Sequence, residues 1–135
     1  MDWKLEVVVV PVSDVDRAKR FYSDQVGFVV DVDHRASETM RVVQMTPPGS
    51  ACSVTIGVGL VDSVPGSLKG LQLVVSDVEA ARAELVERGV DVSPVRHVDA
   101  NGAWADGSGG PWNSFVFFDH PDGNSWAVQE RPAQS

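Results

Sequence analysis

A five-residue pattern occurs twice in this chain and constrains its architecture more than any other feature. Val12-Ser13-Asp14-Val15-Asp16 recurs as Val75-Ser76-Asp77-Val78-Glu79. Each copy follows a β-branched, apolar run and opens a segment with helical periodicity. Each half also closes on a turn that contains proline and glycine, Pro47-Pro48-Gly49 and Pro121-Asp122-Gly123, followed by another strand-like run. A repeat of this kind predicts two copies of one structural unit.

Both halves carry the signals of a βαβββ unit. In the first half, helical periodicity predicts a helix from Ser13 to Gly27, and apolar runs predict strands at 5–12, 28–32, 40–45 and 52–60, with a polar turn at 34–38. In the second half the helix runs from Ser76 to Gly89, and the strands are 68–75, 90–97, 114–118 and 125–130, with a Gly-rich loop at 99–111. We therefore expect an α+β fold, mainly antiparallel, with one helix per module on the outer sheet face. The single domain spans 1–135, with module one at 4–60, a linker at 61–67 and module two at 68–131.

Charge and cysteine content narrow the classes of partner. The 135 residues carry a net charge of −8 that is spread along the chain. This charge opposes binding to nucleic acid or to an anionic membrane surface, since both need a basic surface, but it suits a cationic ligand. The lone Cys52 has no partner for an internal disulfide, so we expect a cytoplasmic protein. We also expect no leader and no transmembrane segment.

The two βαβββ units, their shared helix starts and the turn Asp119-His120-Pro121-Asp122-Gly123-Asn124 resemble the vicinal oxygen chelate superfamily. This group holds glyoxalase I, bleomycin-resistance proteins and extradiol dioxygenases. The resemblance covers residues 4–131 and implies that the sheets curl into a cleft, usually in a homodimer. In the enzymes of the group, a divalent metal in the cleft is held by His or Gln on the first strand of each half and by Glu on the last strand.

The four ligand positions implied by this resemblance fall on residues that do not suit a metal: Val7, Ser53, Gly70 and Ala127. Valine, glycine and alanine have no side-chain donor, and a neutral serine hydroxyl is a weak ligand for a divalent ion. We therefore predict no metal and no cofactor. The alternative is a metal-dependent lyase, isomerase or dioxygenase-like enzyme with ligands drawn from Gln72, Gln129, Glu130 and a histidine.

Strand alternation predicts which side chains face the cleft that the resemblance implies. The predicted lining is Val7, Val9, Ser53, Thr55, Gly70, Gln72, Ala127 and Gln129. The residues predicted to pack under the helices are Val8, Val10, Val54, Ile56, Leu71, Leu73 and Val128. Trp104, Trp112 and Phe118 are further candidate ligand contacts, although alternation leaves open whether Phe117 or Phe118 faces the cleft.

A small, mostly uncharged lining with two amides and nearby aromatic rings favours a small organic ligand. We expect the ligand to be planar or aromatic, and sequestration of a drug or toxin to be the function. No catalytic residue is predicted. A third possibility is a sensor whose ligand controls assembly.

Overall fold

The computed structural model describes residues 1–133, and their contacts divide them into two units. The first unit comprises Met1–Leu68 and His120–Asn124. The second comprises Lys69–Asp119 and the chain from Ser125 onward. The turn at His120–Asn124 thus belongs by its contacts to the first unit, although it joins two strands of the second.

The first unit is a four-stranded sheet covered by one helix. Its strands are β1 (Val7–Val9), β2 (Val29–Ser37), β3 (Met40–Thr46) and β4 (Ser53–Val58). They lie in the order β1-β4-β3-β2, with β1 parallel to β4 and the other pairs antiparallel. Helix α1 (Val15–Arg20) continues as a π-helical segment at Phe21–Val26 and ends at Gly27, whose φ of 94° suits glycine.

The second unit repeats this arrangement with one additional strand. It contains β5 (Leu71–Val75), α2 (Val78–Glu87), β6 (Arg96–Val98), β7 (Trp104–Asp106), β8 (Phe115–Asp119) and β9 (Ser125–Glu130). The strand order is β5-β9-β8-β6-β7, and β5 is parallel to β9. The predicted α+β class and the two-module repeat are therefore confirmed.

Each helix begins at the aspartate of the repeated pattern, one residue later than predicted. The side chain of Asp14 accepts a hydrogen bond from Arg17 N, and that of Asp77 accepts one from Ala80 N. Both aspartates are extended, which is the usual backbone of an N-cap. The preceding Ser13 is used differently, as a donor to Asp122.

The core of each unit lies between its helix and one sheet face. In the first unit the buried apolar side chains include Val10, Ala18, Phe21, Tyr22, Val43, Met45, Val54 and Ile56. In the second they include Val78, Leu85, Val116, Phe118, Trp126 and Val128. The predicted burial of Val10, Val54, Ile56 and Val128 is confirmed, while Val8, Leu71 and Leu73 are half-buried.

Several strand boundaries differ from the prediction. Strand β2 runs through the predicted turn at 34–38, because its exposed, polar residues lie on an edge strand and resemble a turn in the sequence. The predicted strand 90–97 is reduced to β6 and an isolated bridge at Val92. Pro94 lies between them and lacks the N–H that a continuous ladder needs. The predicted Gly-rich loop contains β7.

Neither helix in residues 1–133 is long and apolar enough to cross a membrane.

Candidate functional site

The candidate site is the sheet face of the second unit that points away from α2, which we call the open face. Strand register places Gln72 beside Ala127 and Ala127 beside Phe117, in one row across three strands. The next row pairs Gln129 with Phe115. The intervening residues of β8 and β9 point to the other face, where these strands contact α2. The predicted positions of Gln72, Ala127 and Gln129 on one face are therefore consistent with the register.

Three aromatic rings form a cluster on the open face: Trp104, Phe115 and Phe117. The Trp104 ring stands nearly perpendicular to both phenylalanines, with centroid distances of 5.3 Å to Phe115 and 5.2 Å to Phe117. The two phenylalanine rings are nearly parallel at 6.1 Å. Trp104 nevertheless remains 52% exposed. Edge-to-face contacts orient the rings, so the exposed part of this cluster is preorganised.

Phe118, which the sequence analysis placed among the ligand contacts, requires a correction. It is only 3% exposed and stacks on Trp126, with a centroid distance of 6.0 Å and an interplanar angle of 1°. It lies on the core face because adjacent strand residues point to opposite sides, and Phe117 takes the open face. Trp126 is buried as predicted.

Two glutamine amides form a hydrogen-bonded chain beside the aromatic cluster. Gln72 Nε2 donates to Gln129 Oε1 at 2.5 Å, and Gln129 Nε2 donates to the carbonyl oxygen of Trp112 at 2.8 Å. We call this arrangement the amide chain. It holds both side chains in place on a surface that is otherwise open to solvent.

Trp112 is held in an unusual backbone conformation. Its φ of 63° lies in the left-handed region, which is uncommon for a residue with a side chain, and the side chain is 53% exposed. The neighbouring Asn113 fixes this segment, since its side chain exchanges two hydrogen bonds of 2.8 Å with the backbone of Val98. Sequence reasoning missed the role of Asn113, because the partner of a loop asparagine is not encoded locally.

An ion pair lies at the outer edge of the same face. Arg96 on β6 pairs in register with Phe115 and with Asp106. The Arg96 Nε to Asp106 Oδ1 distance is 3.9 Å, and the Asp106 side chain is 90% exposed, so this pair is weak. Arg96 Nε is buried and has no hydrogen-bond partner among the described residues.

The predicted lining residues of the first unit lie on the face of its sheet that points away from α1. Val7 pairs with Ser53 and Val9 with Thr55. Val7 is 38% exposed, whereas Ser53 and Thr55 are buried, and Ser53 Oγ lies 2.7 Å from Thr46 Oγ1.

The Thr46 hydroxyl also donates to the carboxylate of Asp31. Strand alternation could not predict this carboxylate, because a register shift between Val30 and Val32 interrupts the alternation at Asp31.

The four positions implied for a metal do not fit one. These positions are Val7 and Ser53 in the first unit and Gly70 and Ala127 in the second. Their only side-chain donor atom is the Ser53 hydroxyl oxygen, which already forms a hydrogen bond with Thr46. No group of three or more His, Cys, Asp or Glu within residues 1–133 is arranged to hold a metal ion.

The relocated ligands considered above have other partners. Glu130 Oε2 accepts from Val78 N at 2.9 Å, at the start of α2. His97 Nδ1 lies 2.8 Å from Gly107 O, and Gln72 and Gln129 are joined in the amide chain. Within the second unit, therefore, the amides and Glu130 are not brought together around one point. In the first unit, His34 lies on the exposed strand β2 and His120 is buried.

Sequence reasoning also missed a buried cluster in the first unit. His120 is 1% exposed, stacks on Tyr22 at 5.3 Å and meets Phe21 edge-on at 5.2 Å. Burial lowers the pKa of His120, an effect that Asp122 opposes and Arg17 reinforces. Burial alone would raise the pKa of Asp122, but hydrogen bonds from Ser13 and the charges of His120 and Arg17 lower it.

Two cavities among the described residues share only Phe117 with the open face. One of about 270 Å³ lies in the first unit, between residues 9–15 and 57–65. Another of about 320 Å³ lies in the second unit at the end of β8 and is lined by Asp91, Ser93, Phe117, Phe118 and Asp119. We place the candidate site on the open face rather than in the first cavity, because the open face combines exposed aromatic rings with oriented polar groups.

Comparison with solved structures supports a common fold. TnmS3, an antibiotic binding protein from Streptomyces sp. CB03234, is 33% identical, with a TM-score of 0.77, over 96% of this chain and 97% of that chain. A glyoxalase/bleomycin resistance protein from the same organism is 34% identical, with a TM-score of 0.75, over 94% and 100%. A superfamily member from Sphaerobacter thermophilus DSM 20745 is 26% identical, with a TM-score of 0.75, over 96% and 98%.

No curated protein matches the chain. Residues 4–128 match the family model described as Glyoxalase/Bleomycin resistance protein/Dioxygenase superfamily. This match spans both repeats. The chain therefore belongs to the glyoxalase/bleomycin resistance protein/dioxygenase superfamily.

Proposed function

We propose that this protein binds a planar aromatic molecule on the open face and acts by sequestering it. The observation that carries the proposal is the cluster of Trp104, Phe115 and Phe117, whose tryptophan is half exposed and fixed in orientation by two edge-on contacts. Exposed aromatic surface with a few oriented polar groups is typical of a ligand site. A flat ring system binds there by stacking on Trp104.

The floor of the proposed site is Ala127, which lies between Gln72 and Phe117 in the strand register. In the enzymes that the sequence resembles, this position carries a metal-binding glutamate. A methyl group leaves that space free and uncharged. A flat molecule therefore has room to lie on the sheet between the aromatic cluster and the amide chain.

One comparison and one feature of the sequence support binding rather than catalysis as the function. TnmS3 is an antibiotic binding protein, and it aligns with almost the whole of this chain. The residues at the four implied metal positions lack the donors that a divalent ion needs. An antibiotic or another toxic aromatic compound is accordingly the proposed ligand, and resistance by sequestration is the proposed role.

Other parts of the proposal rest on the sequence. Val7, Val9, Ser53 and Thr55 stay predicted ligand contacts in the first unit, and Trp112 stays one in the second. A cytoplasmic homodimer is also predicted, and sedimentation velocity of the purified protein measures its oligomeric state.

Ligand binding is tested by fluorescence titration and calorimetry with a panel of planar aromatic compounds, namely acridine, quinoline, flavone and 2-naphthol, against decalin as a non-aromatic control. We expect at least one aromatic compound to bind and decalin not to bind. Trp104→Ala removes a stacking partner worth about 0.5–1.5 kcal/mol, so affinity falls about 2- to 13-fold. Trp3→Ala is the matched control, because Trp3 is 87% exposed in the N-terminal segment.

Three results would contradict the proposal. The first is that no panel compound binds, and the second is that Trp104→Ala and Trp3→Ala bind equally well. The third is that Trp104→Ala converts a dimer to a monomer, which assigns the aromatic cluster to a subunit interface. Repeating the titration with EDTA and then with Zn²⁺, Mn²⁺ or Ni²⁺ tests the enzyme alternative, which requires a metal-dependent change in binding.

Ala127→Leu tests where the ligand lies. The larger side chain fills the floor between Gln72 and Phe117, and we expect binding to weaken at least 10-fold if the ligand occupies this space. Ala103→Leu is the control, since Ala103 is exposed just before β7 and lies outside the proposed site. Equal effects of the two substitutions would place the ligand elsewhere.

A further inference from the structure

We infer that the ligand of the open face carries a ring-bound hydrogen-bond donor, such as a phenolic hydroxyl, and presents it to Gln72 Oε1. This inference rests on the proposed function and narrows the ligand class from planar aromatic compounds to phenols and their equivalents. It follows from the direction of the hydrogen bonds in the amide chain.

The backbone fixes that direction. A glutamine amide can usually be turned by 180° without a visible change in shape, so its orientation depends on its partners. The carbonyl oxygen of Trp112 can only accept, and it therefore selects the Nε2 group of Gln129. Gln129 then turns Oε1 toward Gln72, and only Nε2 of Gln72 can donate to it.

The end of the chain consequently presents the acceptor Gln72 Oε1, beside the second N–H of Gln72 Nε2. Gln72 Oε1 receives no hydrogen bond from the described residues, and the Gln72 side chain is exposed. Reversing this amide would bring two carbonyl oxygens together at Gln129. The free oxygen is thus a consequence of the Trp112 carbonyl, two hydrogen bonds away.

The Trp112 carbonyl is itself held in position. Trp112 has the left-handed backbone conformation, and the following Asn113 is bonded to Val98 through both its side-chain oxygen and its side-chain nitrogen. The loop therefore presents the carbonyl oxygen to Gln129 in a defined direction. This gives a role to a backbone conformation that is otherwise unfavourable for tryptophan.

The distance across the sheet sets the shape of the ligand. Gln72 and Phe117 lie on either side of Ala127, and neighbouring strands are about 4.8 Å apart, so their backbones are about 10 Å apart. This span suits a fused or linked polycycle rather than a single ring. A ligand that stacks against the aromatic cluster and extends over Ala127 places its far edge at Gln72.

A ligand that covers Gln72 without donating leaves its oxygen cut off from water and unpaired. Such a loss corresponds to about 10-fold in affinity. A hydroxyl on the far ring edge restores the bond, while a methoxy group of similar shape cannot donate. The site therefore discriminates between two compounds that differ little in apolar area.

The test compares two matched pairs with the whole protein: 7-hydroxyflavone with 7-methoxyflavone, and 2-naphthol with 2-methoxynaphthalene. We expect the hydroxyl compound of at least one pair to bind about 10-fold more tightly to the wild type. Gln72→Leu removes the acceptor, so the ratio of the two affinities falls to about one, which reports loss of the hydrogen bond rather than of stacking.

Gln129→Leu provides a sharper test, because it leaves Gln72 in place and removes only the group that orients it. The freed amide can present either its oxygen or its nitrogen, so the hydroxyl preference falls several-fold. Trp3→Ala keeps the wild-type ratio. Circular dichroism of each variant checks the fold, and the wild-type comparison does not depend on any variant.

Hydroxyl compounds that bind no more tightly than their methoxy analogues in both pairs overturn the inference. So does an unchanged ratio in both glutamine variants. The proposed function fails separately, when no member of the wider aromatic panel binds at all. The two failures are therefore distinguishable in one set of titrations.

Discussion

Asp122 is expected to stabilise the first unit through hydrogen bonds to the start of α1. Its two carboxylate oxygens accept from Ser13 N at 2.8 Å, from Ser13 Oγ at 2.6 Å and from Arg17 Nη2 at 2.7 Å. The Asp122 side chain is 8% exposed, whereas that of Arg17 is 44% exposed. Water therefore weakens the Arg17 pair, and the two bonds from Ser13 contribute most.

Asp122→Asn keeps the shape and replaces one accepting oxygen by a donor. The substitution removes one or two hydrogen bonds to a charged group, each worth about 1.5–3 kcal/mol, so we expect a loss of about 2–4 kcal/mol in the free energy of unfolding. With a urea dependence of about 2 kcal/mol/M, the midpoint falls by about 1–2 M. Urea unfolding followed by far-UV circular dichroism measures this difference, with Asp62→Asn in the exposed linker as the control.

The pH dependence gives an independent check. The pKa of Asp122 is lower in the folded protein than in the unfolded chain, so its stabilisation is complete above the unfolded pKa and is lost as the pH falls through the folded pKa. The difference between wild type and Asp122→Asn should be full at pH 7 and shrink below about pH 4. A loss of less than about 0.5 kcal/mol, or a difference that does not change with pH, would refute this reasoning.

Three further predictions concern other residues. Because burial lowers the pKa of His120, the wild type should lose stability as the pH falls below about 6.5, and His120→Phe should lack this loss in urea titrations at pH 7 and 5. The Arg41 side chain is 11% exposed and forms ion pairs with Asp33 and Asp16, so Arg41→Met should lower the thermal midpoint. Because Arg41 strongly lowers the pKa of Asp33, the same substitution should also make the free energy of unfolding less dependent on pH in the acid range. Trp112→Gly should lower the free energy of unfolding by less than about 2 kcal/mol, because relief of the left-handed backbone, worth about 1–2 kcal/mol, offsets part of the loss of the covered half of the side chain, and chemical unfolding measures it.

Much of the architecture was predictable because it depends on local patterns. The repeated pattern located both helix starts to within one residue, although the caps are the aspartates and not the serines. Two-residue alternation placed Gln72, Ala127 and Gln129 on one face, in agreement with the strand register. These signals involve residues that are close together in the chain, so they can be recognised from the sequence alone.

The remaining features depend on contacts between distant residues or on irregular backbone. Phe117 and Phe118 are equivalent in the sequence, and only the pairing of β8 with β9 separates them. The bulge at Asp31 breaks the alternation that would have revealed its carboxylate. The Asp122 to Ser13 hydrogen bonds join residues 109 positions apart, which no local pattern encodes.

The location of the His120–Asn124 turn bears on whether either repeat could ever stand alone. A chain cut after Leu68 would keep one complete βαβββ sequence but lose the His120 ring, which stacks on Tyr22. It would also lose the side-chain amide of Asn124, which donates to Pro11 O at 2.7 Å and accepts from Leu68 N at 3.0 Å. The polypeptide passes from one unit to the other three times, so no single cut separates them cleanly. The boundary of the sequence repeat and the boundary of the compact unit therefore differ, because five residues of the second repeat complete the core of the first unit.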